Sequence, residues 1–146
     1  MRSAGMLFLM LFFAAGANGQ STPDSVLIKE AAMNYMQGWY TGDVNRMKKA
    51  LHADLAKRLV VTMDTVSKRQ YVSNASADAM IELTATGMGK TFRGASGTIE
   101  YRLLDKAQDL AMVRLKTADY LDYLQLGKVN GEWKIINILW AMASDQ

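Results

Sequence analysis

Residues 130–140 read NGEWKIINILW, and the fold follows from how they are read. Asn130-Gly131 is the dipeptide of a two-residue hairpin turn, because both residues tolerate positive φ. A strand should therefore follow. Successive side chains of a strand point to opposite faces. Trp133, Ile135, Asn137 and Leu139 then share one face, and Ile136, Ile138 and Trp140 the other. One apolar face is a core. A second apolar face needs another explanation, and so does the amide that interrupts the first.

The chain before the turn supplies partners. From Thr98 onward the pattern is strand and turn, repeated to give four strands. A turn at Asn130-Gly131 pairs Leu126 with Ile135, Leu124 with Asn137, and Asp122 with Leu139. A turn at Thr117-Ala118 pairs Asp122 with Val113 and Leu124 with Ala111. A loop over Asp105 to Asp109 pairs Leu103 with Ala111, Tyr101 with Val113 and Ile99 with Leu115. The resulting inner face is apolar except for Asp122 and Asn137, which this register makes diagonal neighbours. The outer face carries Met112, Leu121, Tyr123, Ile136, Ile138 and Trp140 among Glu100, Arg102, Arg114, Gln125 and Lys134. That mixture suits a protein interface, and a homodimer joined through the sheets is the simplest expectation.

The first half is helical. Ser21-Thr22-Pro23-Asp24 is a helix start, and Ile28, Ala32, Tyr35 and Trp39 recur at helical spacing. Gly42 ends that helix as a left-handed cap and Asp43 caps a second, with Val44, Met47 and Leu51 on one side. Arg58 to Met63 and Val66 to Val72 read as strands. Ser76 caps a third helix running to Gly87, and a glycine-rich loop follows. Helices first and an antiparallel meander afterwards make the fold class α+β.

Composition narrows the setting. Met6 to Ala17 is an uninterrupted apolar run behind Arg2, shorter than the about 20 residues a bilayer span requires. Ala17-Asn18-Gly19 then resembles a signal-peptidase site. Residues 1–19 are read as a signal peptide and 20–146 as one domain, exported to the periplasm or secreted, with no membrane span after cleavage. The absence of cysteine rules out disulfides, thiolate chemistry and a lipid-modified cysteine. One histidine makes a zinc site improbable, and no metal or cofactor is expected. A net charge of +3 with no basic cluster gives no reason to expect nucleic acid. Lys48-Lys49 and Lys57-Arg58 read as solvated positions.

GWYTGD (Gly38 to Asp43), LHADLAKR (Leu51 to Arg58) and DYLQLGKVNGEWKIINILW (Asp122 to Trp140) resemble the putative lumazine-binding family of the nuclear transport factor 2-like superfamily. The resemblance covers essentially the whole mature chain. It implies helices closed on a strongly curved antiparallel sheet, a cone-like α+β barrel with a pocket between the two layers. It also implies dimerisation through the sheet. Relatives include ketosteroid isomerases, scytalone dehydratases and polyketide cyclases, beside many members without catalysis. His52 is followed by Ala53 where the family often has His-Pro-Asp.

Asp122 is the sharpest candidate, since a carboxyl on an apolar face should hold its proton and suit acid–base work. Its competing role is structural, bonded to Asn137 or a tyrosine. Asn137 and Tyr101 could orient a ligand, and Tyr35, Trp39 and Trp133 could stack on a flat aromatic one. His52 is a second acid–base candidate or a partner for a helix C-terminus. Three functions compete: an exported binding protein for a small molecule, an isomerase or dehydratase using Asp122 or His52, and an interaction module using the outer sheet face.

Overall fold

The computed structural model describes residues 22–143. The proposed signal peptide lies outside the described residues. Three helices, α1 (Asp24–Thr41), α2 (Val44–Ala50) and α3 (Ala77–Ala85), pack on one face of a six-stranded sheet. The strands are β1 (Leu51–Thr62), β2 (Gln70–Ala75), β3 (Glu100–Ala107), β4 (Leu110–Lys116), β5 (Tyr120–Val129) and β6 (Glu132–Met142), in the order β2-β1-β6-β5-β4-β3. The α+β class is as expected. The sheet is curved, open rather than a closed barrel, and mixed, because β1 runs parallel to β6.

Local chemistry sets the helix ends. Gly42 is left-handed at φ 69°, and the Asp43 N–H reaches the Gly38 carbonyl at 2.9 Å, the six-to-one bond of a Schellman cap. The Asp43 carboxylate then accepts from the N–H groups of Asn45 and Arg46, starting α2 at once. Ser76 caps α3 through the Ala79 N–H. Pro23 occupies the cap position of α1 without a side-chain hydrogen bond. Ile28, Ala32, Tyr35 and Trp39 are all buried, as the helical spacing predicts. They meet Val113, Leu115, Leu124 and Ile135 from the sheet in one continuous core.

The strands correct two expectations of the register. The β4–β5 turn is Ala118-Asp119, with the Thr117 N–H bonded to the Tyr120 carbonyl, so Asp122 pairs with Leu115. This slips the pairing by two residues and leaves each face unchanged. The same two-residue slip occurs between β3 and β4. β3 continues through Asp105 to Ala107 instead of looping there, with a bulge between Leu103 and Asp105. Leu103 therefore pairs with Val113, Tyr101 with Leu115 and Glu100 with Lys116, while Arg114 still reaches the Glu100 carboxylate diagonally at 3.8 Å.

The second correction lies inside NGEWKIINILW. Asn130 and Gly131 form the turn with φ 50° and 83°, and Leu126 pairs with Ile135 as expected. A β-bulge then intervenes: Gln125 pairs with Asn137, Leu124 with Ile138, and Asp122 with Trp140. Ile136 and Asn137 both point outward at the extra residue, and the alternation resumes in the opposite phase. Ile138 is 2% exposed whereas Leu139 is 57% exposed. Ile138 and Trp140 therefore face the helices instead of a dimer seam. Asn137 and Leu139 leave the inner face.

β1 is also longer than expected. It begins at Leu51, directly after α2, rather than at Arg58. Its pairing with β6 is irregular between Leu51 and Ala56. The regular part, Ala56 to Arg58, lies beside Asn137 to Leu139 and carries Lys57 inward.

Candidate functional site

Asp122 stands midway across the concave face, 1% exposed, between Leu115 and Trp140 on the neighbouring strands. Tyr35, on the inner side of α1, donates its hydroxyl to Asp122 Oδ1 at 3.0 Å. The other oxygen, Oδ2, is buried without a hydrogen-bond partner among the described residues. Burial lifts the Asp122 pKa above the ordinary carboxyl value, against the opposing pull of Lys57 and the Tyr35 hydrogen bond. Tyr35 is itself pushed well above its ordinary value, first by burial and then by Asp122.

Lys57 completes the group. Its Nζ lies 4.5 Å from the Trp140 ring centroid, 5.5 Å from that of Tyr35 and 6.0 Å from that of Tyr120. Such a box attracts a cation to the ring faces but offers no acceptor oxygen. No hydrogen bond or close ion pair reaches the Lys57 ammonium among the described residues. Burial accordingly lowers its pKa, while Asp122 works in the opposite direction. Read as a solvated surface lysine in the sequence, Lys57 is an inward one.

A cavity of about 280 Å³ opens beside this group, lined by Lys57, Trp39, Phe92, Tyr120 and Trp140 with Leu59, Met80 and Met142. The rings form a chain: Trp39 to Phe92 at 6.2 Å, Phe92 to Tyr120 at 5.4 Å, and Tyr120 to Trp140 at 5.6 Å. The Trp39 indole N–H is buried with no hydrogen-bond partner among the described residues. Burial pushes the Tyr120 pKa up to about 12.

The glycine-rich loop places Phe92 in this wall. A Cβ on Gly89 would lie 2.1 Å from the Trp39 carbonyl oxygen, and one on Gly94 would lie 2.2 Å from the Tyr40 hydroxyl. Only glycine permits both approaches. Asp119 pins the second, accepting from the Tyr40 hydroxyl at 2.9 Å and the Gly94 N–H at 2.6 Å. The buried Asp119 thus ties α1 and the loop to the β4–β5 turn.

The predicted site residues are only partly gathered. Tyr35 and Asp122 come together, and Trp39 lines the adjoining cavity, which neither of them lines. Tyr101 lies on the same inner row, separated from Asp122 by Leu115, with its buried hydroxyl unpartnered among the described residues. Trp133 lies elsewhere, donating its indole N–H to Asp24 at 3.0 Å. Asn137 donates instead to Gln125 on the outer face at 3.1 Å, because the bulge turns it away from Asp122. His52 does not line the cavity, and its Nδ1 accepts from the Asp54 N–H at 3.1 Å. Lys57, Phe92, Tyr120 and the inward role of Trp140 escaped the sequence reading. Leu55-x-Lys57-x-Leu59-x-Val61 did carry a signal, a lysine within the apolar row of a strand.

On the outer face, Met112, Tyr123 and Leu139 are exposed on adjacent strands. No described helix is long and apolar enough to cross a membrane.

The family model described as "Putative lumazine-binding" matches residues 23–141. The chain belongs to the putative lumazine-binding family. Solved structures similar to this member have the nuclear transport factor 2-like fold. One is such a protein of unknown function from Shewanella baltica OS155, 17% identical, covering 86% of this chain and 100% of its own, with a TM-score of 0.66. Another is from Silicibacter pomeroyi DSS-3, 14% identical over 84% of this chain and 100% of its own, with a TM-score of 0.60. A protein of unknown function with a cystatin-like fold from Nostoc punctiforme PCC 73102 is 16% identical over 84% and 92%, with a TM-score of 0.59. At these identities the likeness establishes the fold alone. No curated protein matches the chain.

Proposed function

We propose that this protein is an exported, non-catalytic small-molecule-binding protein whose ligand is a flat aromatic compound held beside Lys57. The observation that carries this reading is the cavity walled by Trp39, Phe92, Tyr120 and Trp140. Its apolar walls favour a ring system, and Lys57 on its lining can meet a polar edge. The Lys57 ammonium lacks an acceptor among the described residues. The family description adds lumazine, a bicyclic heteroaromatic, as a natural first probe.

The test is titration of the purified protein with lumazine and with 2-naphthol, followed by tryptophan fluorescence and melting temperature. Binding should quench fluorescence and raise the melting temperature by mass action. Trp140→Ala should weaken the quench at least tenfold. No response to either compound at millimolar concentration overturns the reading.

A homodimer through the outer sheet face is a second part of the proposal. The exposed cluster of Met112, Tyr123 and Leu139, with Leu121 and Ile136 beside it, supports it. The bulge removes Ile138 and Trp140 from that seam. Light scattering at micromolar concentration should give twice the monomer mass, and Leu139→Glu should halve it. Export is read from the first 19 residues and predicts a mature chain beginning near Gln20.

A further inference from the structure

We propose that Lys57 is a nucleophilic amine which captures a planar aromatic aldehyde or ketone in the adjoining cavity as a reversible imine. The inference rests on the pocket reading above and deepens it by naming the chemical class of the ligand.

An amine attacks a carbonyl only through its free lone pair, so a reactive lysine needs an environment that disfavours the ammonium. Lys57 has one. It points inward from β1 and receives no hydrogen bond or close ion pair among the described residues, a loss of solvation that outweighs the attraction of the Tyr35, Tyr120 and Trp140 ring faces for a cation. Burial drives its proton affinity down, which agrees with the geometry. The amine must also be reachable, and Lys57 lines the cavity. Lys68 and Lys90 are exposed and have no such aromatic enclosure among the described residues.

Imine formation also needs a proton donor and acceptor. Asp122 is the carboxyl whose charge acts on Lys57, and burial favours its protonated form. Its Oδ2 has no hydrogen-bond partner among the described residues. The nitrogen lone pair forms a C–N bond as the carbonyl π pair moves to oxygen. That oxygen takes up the proton released by nitrogen, giving the carbinolamine. Protonation of the hydroxyl, relayed from Asp122 through one intervening water because Asp122 does not itself line the cavity, breaks the C–O bond and expels water, and the iminium N–H proton returns to Asp122 by the same route. The balance is one carbonyl compound and one amine to one imine and one water, with Asp122 unchanged. The aromatic wall would hold the ring of the carbonyl compound while the amine adds.

The probe is 2-naphthaldehyde at neutral pH with sodium cyanoborohydride, which reduces the imine to a stable secondary amine. Peptide mass spectrometry then locates the naphthylmethyl group. Lys57 should be modified at least tenfold faster than any other lysine, and 2-naphthol in excess should suppress that modification alone. Lys57→Arg should remove the fast phase. If Lys57 labels no faster than exposed lysines while 2-naphthol still quenches tryptophan fluorescence, the amine is not nucleophilic. This proposal then falls and the pocket reading stands. If neither labelling nor quenching occurs, both fall.

Discussion

Asp24 and Asp122 sit beside the same kinds of partner, a tryptophan and lysine, at two different places in the molecule. Asp24, on the first turn of α1, is 28% exposed. It accepts from Trp133 Nε1 and Lys128 at 3.0 Å and lies 3.4 Å from Lys106. The Trp133 and Lys128 hydrogen bonds hold its pKa down to about 2. Asp122 is enclosed, keeps one hydrogen bond and touches no ammonium, and its pKa moves up. Direct hydrogen bonding wins at the first carboxyl and desolvation at the second. The satisfied cluster ties α1 to the β5–β6 hairpin. The unsatisfied one borders a cavity, and groups left without partners inside a protein are candidates for meeting a ligand.

The largest effect should come from the tryptophans. Trp133 is buried and its indole N–H is bonded to Asp24, so Trp133→Ala should cost about 3–5 kcal/mol in urea denaturation. Trp140 borders the cavity and should cost clearly less. Equal losses would mean that the two ends are packed alike, and the contrast would fail. Next in size is Tyr35→Phe, which leaves Asp122 Oδ1 without its donor and should cost about 1–3 kcal/mol. In the Asp122→Asn background that cost should change, because the two side chains act as one unit. A cost independent of residue 122 would sever the pair.

The pH dependence separates the carboxyls by sign. The folded state holds the Asp122 proton more tightly than the unfolded chain does. Its contribution to stability therefore grows as pH falls from neutral toward 3.8, then levels. Asp24 contributes stability above 3.8 that disappears as pH falls from 3.8 to about 2. Thermal melts of Asp122→Asn should lose the acid-side gain, and those of Asp24→Asn should lose the steeper fall below 3.8. The reverse assignment would refute the comparison. Smallest of all should be the effect of salt. Half-molar sodium chloride should weaken the half-buried Asp24 cluster slightly and leave the acid-side gain due to Asp122 in place.

Half of this contrast was legible in the sequence. An acid on the apolar row of β5 announces itself, because Leu124 and Leu126 continue the same face. The Asp24–Trp133 bond was not legible, since its partners lie at opposite ends of the chain. Lys57 was misread for a related reason. Beside Arg58 it looks like one of two solvated cations. Alternation separates the two and puts Lys57 on the row of Leu55 and Leu59, and the parallel pairing of β1 with β6 decides that this row faces inward.

NGEWKIINILW shows where the boundary falls. The hairpin was determined locally, because Asn130 and Gly131 accept the positive φ that the turn requires. The helix stops and starts at Gly42, Asp43 and Ser76 were local for the same reason, as capping is an interaction between near neighbours. The phase of the strand beyond Lys134 was not local. Ile135, Ile136, Ile138, Leu139 and Trp140 supply apolar residues to either face, so alternation alone cannot choose between them. Tertiary structure chose by placing a bulge at Ile136-Asn137, which buries Ile138, brings Trp140 over Lys57 and sends Asn137 outward. The backbone irregularity allows packing against the helices, and packing depends on atoms that only the folded chain brings together.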